Sequence, residues 1–395
     1  MNQKPLKILF LATWYPNRYD AMLGLFVKRH AEAVSRYAKI TVVNVFSTDK
    51  IKANYELETS VSNAITTIII YTRRSKTFIK PLNALINGLR YFKAQQAAWK
   101  ILKATDSTPD ITHVHILTRA GLVALFLKVK YKIPYLITEH WSRYLSHHGG
   151  YNGLLRKYLT RKVVENSAGV TTVSQALKEG MNKVGLTHSQ WEIIPNVVDT
   201  SLFKPCPPDN SNHNYRFSHI SCFEEQSKNM SGILKAAKIL YDKGKEFEIL
   251  MIGDGQDLKD NKTYSKQLGI SSIIHYTGVL EGPELVKTMC QCNCSILFSN
   301  YETFAIVIPE NIACGIPVIA PKVGGIPEVL PDKFGSLIAV GDINALAQEM
   351  ESYIDNQHHF DTEAMIEYVE ENYSYDEVGH RFFLLYQSVL KLHSQ

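Results

Sequence analysis

Two glutamates, Glu302 and Glu310, stand at the ends of a mostly apolar segment with seven residues between them. Proline is tolerated only in the first turn of a helix, so Pro309 predicts a helix that begins within 305–308 and closes at Gly315. Eight helical positions advance about 12 Å, too far for two carboxylates to share a proton. We therefore expect the two carboxylates to hold different parts of one long ligand.

The residues between the glutamates predict an anion site. Thr303, Phe304 and Ala305 precede the helix, where free N–H groups and about half a positive charge favour phosphate. A sugar on one side and a ribose on the other would explain the spacing of the carboxylates. A plain strand–turn–helix also fits, because helix starts favour acids in any case.

Further polar residues follow predicted strands, at the edge where parallel α/β sheets bind ligands. Lys228 in "EEQSKNMSGIL" is placed to neutralise a diphosphate, although a solvated lysine also fits. His140 in "PYLITEHWSRY" is a candidate contact to a reacting sugar. His113 and His115 alternate on one strand face without a third metal ligand, so a core or rim role is expected, and His115 is kept as a ligand candidate.

Two glycine pairs follow other predicted strands. Gly253 and Gly255 lack the third glycine of a dinucleotide-binding fingerprint, which makes a hydride-transfer enzyme a weak interpretation. Gly324–Gly325 predicts a close approach of the backbone to a neighbour, with Glu328 beyond it. A ligand loop and an ordinary turn both fit this second pair.

Strands and helices must alternate to place these residues. Apolar runs of strand length alternate with helical patterns in both halves, which predicts α/β domains with parallel sheets. The proline-rich "KPCPPDNSNHNY" is typical of a linker. We predict domains over 1–204 and 215–375, a linker over 205–214, and a C-terminal helix over 376–395 that fits either domain.

Composition agrees with two ordinary cores in 395 residues, of which 45% are hydrophobic and 21% charged. A net charge of +5 is too small to indicate nucleic acid. No apolar run is long enough to span a membrane, so a soluble or peripheral protein is expected. The six cysteines, three of them in "CQCNC" at 290–294, favour a reducing cytoplasm and a helix end entering a strand over disulfides or metal.

The segment from Arg73 to Lys103 contains eight basic residues and no acid. Its apolar residues recur at near-helical spacing: Leu82, Leu85, Ile86, Leu89, Phe92 and Trp99. This pattern predicts a helix that binds an anionic membrane face. A solvated basic helix whose apolar stripe packs on the sheet is the alternative.

The segment "YETFAIVIPENIACGIPVIAPKVGGIPEVL" resembles the signature of the retaining glycosyltransferases of family 4. The blocks "VTTVSQALKEGM", "IIPNVVDTSLFKP", "MIGDG" and "IIHYTGVLEGPEL" are similar to other family segments and come in the same order. The resemblance covers nearly the whole chain and implies the α/β GT-B fold, two Rossmann-like doubly wound domains facing across a cleft. The first would bind the acceptor and the second the nucleotide sugar.

The resemblance implies a role for each candidate residue. Glu310 would hold the ribose, Glu302 the donor sugar, and Lys228 with the amides of Thr303, Phe304 and Ala305 the diphosphate. His140 would contact the sugar near the transfer centre. Gly24 would lie in a loop facing the phosphates, and the nucleobase would lie against the backbone of Val279 and Leu280.

The implied reaction moves a hexose from a UDP- or GDP-linked donor to a glycan, lipid-linked or other hydroxyl acceptor, with retention and without metal or cofactor. Polysaccharide biosynthesis at the inner face of the cell membrane would fit. Two departures stand out: Ser221 or Cys222 occupies the place of a phosphate-binding arginine, and Ala305 that of a glycine. An inactive nucleotide-sugar-binding regulator and a sugar-nucleotide epimerase are the alternatives.

Overall fold

The computed structural model describes residues 5–117, 119–145, 150–206 and 214–393. The chain forms two compact units. Unit 1 comprises Met1–Val173, Leu177–Val197 and Tyr375–Gln395, and unit 2 comprises Ser174–Ala176 and Val198–Ser374.

Unit 1 is built on an eight-stranded sheet in the order β3-β4-β2-β1-β5-β6-β7-β8. All neighbouring strands are parallel except β3, which is antiparallel to β4 at one edge. The strands are β1 Lys7–Ala12, β2 Lys39–Thr48, β3 Tyr55–Ser62, β4 Ile65–Arg73, β5 Ile111–His115, β6 Tyr135–Glu139, β7 Gly169–Thr172 and β8 Trp191–Ile193. The carboxyl ends of β1, β5, β6 and β7 therefore meet at one edge.

Helices of unit 1 connect these strands and cover the sheet. They are α1 Leu25–Ser35, α2 Lys80–Ala104, α3 Arg119–Tyr131, α4 Leu154–Glu165, α5 Gln175–Lys183 (in unit 1 from Leu177 onward) and the C-terminal α14 Tyr375–His393. Phe382 and Tyr386 of α14 are fully buried in the same core as Phe10 and Val42. The C-terminal helix thus belongs to unit 1, a question that its amphipathic pattern left open.

Unit 2 has a six-stranded, wholly parallel sheet in the order β11-β10-β9-β12-β13-β14. Its elements are β9 Tyr215–Ile220, α6 Glu225–Lys228, α7 Met230–Asp242, β10 Phe247–Ile252, α8 Leu258–Gln267, β11 Ile274–Gly278, α9 Gly282–Met289, β12 Cys294–Ile296, α10 Val307–Ala313, β13 Val318–Pro321, α11 Ile326–Val329, β14 Gly335–Ile338, α12 Ile343–Ile354 and α13 Thr362–Tyr373. Phe217, Met251 and Phe298 lie in its buried core. The order of strands is that of a doubly wound sheet.

The predicted α/β class with parallel sheets is confirmed. Each apolar run that predicted a strand contains one, and the segment after Glu302 forms α10 close to the expected bounds. Strand β3 was not predicted, because its sequence "YELETSVS" is polar and almost wholly exposed. It is an edge strand that no hydrophobic face specifies.

One prediction about the cysteines is wrong. Cys206 and Cys290 form a disulfide that closes a loop across 84 residues, although the sequence favoured free thiols. Cys292 and Cys294 are buried and free, and "CQCNC" does lead from α9 into β12. Residues 207–213 of the predicted linker lie outside the described residues.

Candidate active site

The carboxyl edge of the unit 2 sheet joins Lys228 and Glu302. The Lys228 ammonium donates a hydrogen bond to Oε1 of Glu302 at 2.5 Å, and Ser299 Oγ donates to the same oxygen at 3.0 Å. Side-chain exposure is 19% for Lys228 and 13% for Glu302, so the pair is only narrowly open to solvent. Burial lowers the pKa of Lys228, but the Glu302 carboxylate outweighs this and raises it, which keeps the ammonium charged.

Backbone contacts fix the two loops that carry this pair. Lys228 ends α6, and Asn300 binds α6 twice, through its N–H to the carbonyl of Ser227 at 2.8 Å and through its side-chain amide to that of Gln226 at 3.0 Å. These bonds hold the loop after β12 against α6. They bring together two charges that are 74 residues apart in sequence.

The Gly324–Gly325 turn supports the same loop. A Cβ at Gly324 would lie 1.8 Å from the carbonyl oxygen of Glu302, and one at Gly325 would lie 2.3 Å from that of Thr303. The close approach predicted for this turn is therefore made to the loop that carries Glu302. Glu328 accepts hydrogen bonds from backbone N–H groups of Gln175 and Ala176, so its role is structural.

The loop between Glu302 and α10 presents amide groups. Within the described part of the chain, no acceptor pairs with the N–H of Thr303, Phe304 or Ala305. Phe304 is buried against the ring of Tyr373, with centroids 5.8 Å apart, which anchors the loop. Ala305 has φ +59°, a left-handed conformation that favours glycine.

Glu310 and the two predicted nucleobase contacts lie on neighbouring elements. Glu310 is in the first turn of α10 and is buried, where the helix dipole favours a carboxylate. Val279 and Leu280 follow β11; Val279 is 55% exposed, whereas Leu280 packs against the buried cluster of Leu250, Ile252 and Cys292. The predicted donor residues of unit 2 thus follow the carboxyl ends of β9, β11 and β12, which share one edge of the sheet.

Among the described residues around Ser221 and Cys222, no arginine takes the place of the one that the family resemblance led us to expect. Ser221 Oγ is hydrogen-bonded to Nε2 of His219, whose Nδ1 bonds the carbonyl of Ile296 at 2.8 Å. Burial lowers the pKa of His219 to about 4, so this ring is neutral. Cys222 is exposed and forms no disulfide. Lys228 is therefore the cation that the structure places at this point of the edge.

Gly253 and Gly255 serve packing. A Cβ at Gly253 would lie 1.9 Å from the carbonyl oxygen of Ser221, and one at Gly255 would lie 2.4 Å from that of Phe223. Both glycines let the loop after β10 pass close to the loop that leads to Lys228. This explains them without a dinucleotide.

In unit 1, Gly24 and His140 lie near the carboxyl edge of the sheet. Gly24 has φ +68° and precedes α1, and a Cβ there would lie 2.5 Å from the carbonyl of Trp14. His140 directly follows β6, is 6% exposed, and has Nε2 3.3 Å from Nδ1 of His115. Burial and the neighbouring imidazoles lower the pKa of His140 well below its ordinary value, so the ring is neutral.

Sequence reasoning missed Glu139, the residue before His140. Its buried carboxylate accepts hydrogen bonds from the N–H groups of Leu117 at 2.8 Å and of His140 and Trp141 at 2.9 Å. Burial raises the pKa of Glu139, opposed by these three bonds. An acid between an apolar strand and "HW" was the available signal for a residue that fixes the backbone around His140.

Three further histidines of unit 1, His30, His113 and His115, are buried beside His140. His113 bonds Tyr386 and Thr138 at 2.6 Å, which confirms its core role. His115 is fully buried beside it, so the interpretation of His115 as a ligand contact is replaced by a core role. Ring nitrogens of His30, His115 and His140 lie within 4.8 Å of one another, the one group in the described chain with the composition of a metal site.

The family follows from matches that span both halves. Residues 33–202 match the family Glycosyltransferase Family 4, and residues 215–372 match Glycosyl transferases group 1. The chain belongs to the family 4, group 1 glycosyltransferases. Lys228, Glu302 and Glu310 lie within the group 1 match, and His140 lies within the family 4 match.

Two curated relatives illustrate the range of this family. An uncharacterised glycosyltransferase of Methanocaldococcus jannaschii is 27% identical over 252 residues, 63% of this chain and 66% of the relative. N-acetyl-alpha-D-glucosaminyl L-malate synthase of Bacillus anthracis is 24% identical over 296 residues, 71% of this chain and 75% of the synthase. Both proteins are similar to this chain, and their substrates are not assigned to it.

Solved glycosyltransferase structures share the fold. Sucrose-phosphate synthase from Thermosynechococcus elongatus has a TM-score of 0.75 at 16% identity and covers 98% of this chain and 100% of its own. HepE from Anabaena, solved in complex with UDP, has a TM-score of 0.73 at 18% identity over 97% of this chain and 100% of its own. The predicted GT-B fold is thereby confirmed. No helix in the described residues is both long and apolar enough to cross a bilayer.

Proposed function

We propose that this glycosyltransferase moves a hexose from a nucleotide-diphosphate sugar to a hydroxyl acceptor, with retention of configuration and without a metal. The observation that carries the proposal is the paired Lys228 and Glu302 beside the unpaired amides of Thr303, Phe304 and Ala305. This combination of a cation, a carboxylate and amides suits a diphosphate joined to a sugar. HepE, solved in complex with UDP and with UDP-glucose, supports a UDP-linked donor.

Breaking the glycosidic bond leaves negative charge on the departing diphosphate. Lys228 is held charged by Glu302, and the three N–H groups that precede α10 have no acceptor in the described chain, so the stabilising groups are in place before the reaction begins. Glu302 shares the ammonium with the phosphate and binds hydroxyls of the donor sugar. Glu310 binds the ribose from the first turn of α10, and the exposed Val279 and its neighbour Leu280 border the nucleobase.

The acceptor hydroxyl attacks the anomeric carbon on the face that the phosphate leaves, and its proton passes to the departing phosphate oxygen. This accounts for retention without a protein base. His140 is neutral, so one ring nitrogen accepts and the other donates, which suits a hydrogen bond to a sugar hydroxyl. Because Gly24 has no side chain, its loop can lie close to Trp14. In this proposal the loop contacts the phosphates of the donor.

Exposed apolar and basic surface supports peripheral attachment to an anionic membrane, where a surface glycan would be extended. Leu85, Leu89 and Phe92 of α2 are 59%, 54% and 37% exposed. The buried residues of α2, which include Ala94, Ala98 and Leu102, lie in its second half and outside this stripe. The enzyme would then act at the inner, cytoplasmic face.

A donor panel tests the proposal. The protein is incubated with UDP-, GDP- and ADP-linked hexoses, nucleoside diphosphate release is measured, and the anomeric configuration of the product is read by NMR. We expect one nucleotide to be used, slow donor hydrolysis without acceptor, and the same rate after removal of metal with EDTA. Binding without release would favour the regulator that the missing arginine suggests, and an isomerised donor would favour an epimerase.

A further inference from the structure

One cavity is lined by residues of unit 1 alone. It has a volume of about 530 Å³ and is bordered by α2, α3, α4 and the loops after β1, β5 and β6. Arg119, Arg143 and Arg156 line it, together with apolar side chains that include Trp14, Trp141 and Leu155. None of the residues that line it is an acid.

The three guanidinium groups have no direct carboxylate partner among the described residues. In the described chain, none of them forms an ion pair with a carboxylate. Arg143 lies flat on Trp141, with Cζ 3.1 Å from the ring centroid, and its buried Nε has no hydrogen-bond partner. The nearby Glu139 carboxylate already binds three backbone N–H groups. The part-buried Arg143, with its unpaired Nε, and the exposed Arg119 and Arg156 form a cluster of three cations that suits an anion.

Phosphate chemistry fits this charge better than other ligands. Arginine only donates hydrogen bonds, and its planar fork matches phosphate oxygens. The hydroxyls of a neutral sugar donate as well as accept hydrogen bonds, and the lining side chains with a hydroxyl acceptor are Thr13, Thr160 and Tyr91. A single carboxylate would leave two of the three cations unpaired, whereas a phosphate ester or a diphosphate carries enough charge for all three.

Exposed apolar side chains lie beside the cavity, so its ligand should also have an apolar part. Leu154, Leu155 and Tyr158 at the start of α4 are 89%, 70% and 60% exposed, and Leu155 also lines the cavity. Tyr91 of α2 also lines the cavity, and the exposed Phe92 follows it in sequence. Apolar surface therefore leads out of the charged cavity along both helices.

We infer that this cavity binds the phosphate or diphosphate head of an amphipathic acceptor whose apolar chain extends along the exposed surface of α4 and α2. The inference rests on the proposed function, because it names the class of acceptor that the glycosyltransferase would use. The guanidinium groups hold the head, the two tryptophans cover its apolar neighbour, and the chain passes to the membrane. The acceptor class is thus a lipid phosphate carrying a hydroxyl or a sugar.

Direct binding tests this site apart from turnover. Isothermal titration is carried out with decyl diphosphate below its micelle concentration, with inorganic diphosphate, and with decyl maltoside, which has a neutral head. The variant is Arg119→Gln/Arg156→Gln, since both side chains are exposed and their loss should not disturb folding. Arg161→Gln is the matched control, an exposed arginine on α4 that does not line the cavity.

We expect decyl diphosphate to bind at least 10-fold more tightly than either partial probe, and the double variant to weaken it by about 10- to 100-fold for each lost charge-assisted contact. Arg161→Gln should bind as the wild type does. Equal affinity for inorganic diphosphate, equal weakening by Arg161→Gln, or absence of binding would each overturn the inference.

A further variant separates this inference from the proposed function. Lys228→Met should lose its stabilisation by nucleotide and still bind decyl diphosphate. If decyl diphosphate binding were lost in Lys228→Met, the probe would occupy unit 2 and the inference would be wrong. If the wild type binds decyl diphosphate through the arginines but uses no nucleotide sugar, the proposed function fails and the site in unit 1 stands.

Discussion

At the scale of single residues, the site combines groups that are costly to bury with a backbone conformation that is costly to adopt. A buried ion pair such as Lys228–Glu302 contributes little to folding, because the loss of hydration offsets the attraction. The pair is therefore better explained by ligand binding than by stability. The sequence could suggest both residues, but their contact across 74 positions depends on the loop held by Asn300.

Replacing Ala305 by glycine should stabilise unit 2. A non-glycine residue in the left-handed region costs about 1–2 kcal/mol, and the greater freedom of glycine in the unfolded chain returns part of this gain. We expect Ala305→Gly to raise the free energy of unfolding by about 0.5–1 kcal/mol, measured by urea denaturation. Ala313→Gly, at a right-handed helical position of α10, should lower it. A loss of stability in Ala305→Gly would show that the methyl group stabilises the loop.

At the scale of elements, the pattern of apolar runs sufficed for the parallel strands, because strands buried on both faces have continuous apolar sequences. It did not suffice for the exposed edge strand β3, nor for the partner of Gly324–Gly325. A glycine pair indicates that the backbone lies close to another segment. Tertiary packing decides which segment that is, here the loop carrying Glu302. The exposed stripe on α2 was equally beyond sequence, since amphipathic spacing is the same for a buried and an exposed face.

The exposed stripe of α2 should bind anionic vesicles. We expect the wild type to sediment with phosphatidylglycerol-containing vesicles more than with pure phosphatidylcholine, and salt to weaken binding because basic residues flank the stripe. Leu85→Ser/Leu89→Ser/Phe92→Ser should lower the partition coefficient by about 10-fold or more, since apolar burial is lost. Leu392→Ser, at an exposed position of α14, is the control. Sedimentation unchanged in the triple variant would remove the membrane role of α2.

At the scale of the whole molecule, five buried histidines make stability depend on pH. Burial lowers the pKa of His30 and His219 to about 4, and burial with neighbouring rings lowers that of His113, His115 and His140 well below 6.5. The unfolded chain binds protons to these rings from about pH 6.5 downward, whereas the folded chain binds them only at lower pH, near 4 for His30 and His219. The free energy of unfolding should be highest above about pH 6.5 and fall between pH 6.5 and 4, by up to about 1.4 kcal/mol per pH unit for each ring.

Urea denaturation at a series of pH values measures this dependence. His30→Gln keeps a donor for the carbonyl of Pro195 and removes one titrating ring, so its slope below pH 6.5 should be smaller. His380→Gln, at an exposed position, should leave the slope as it is in the wild type. If the free energy of unfolding fell with the same slope below pH 6.5 in all three proteins, the buried histidines would not control the loss of stability in acid.

The organisation of the chain could be predicted in part from the sequence. Two α/β halves and the family signature followed from sequence, whereas the membership of α14 in unit 1 depends on Phe382 and Tyr386 entering that core. The Cys206–Cys290 disulfide was missed because pairing across 84 residues leaves no local signal. Order along the chain thus predicts domains and motifs better than it predicts contacts between distant segments.

Nucleotide binding to the unit 2 edge tests the central claim most directly. Thermal unfolding is followed with UDP, GDP and ADP for the wild type, Lys228→Met, Glu310→Gln and the control Lys235→Met, an exposed lysine on α7. We predict that one nucleoside diphosphate raises the melting temperature of the wild type and of Lys235→Met. Lys228→Met and Glu310→Gln should each weaken the apparent affinity by about 10-fold or more. Equal stabilisation of all four proteins, or of none, would contradict the account.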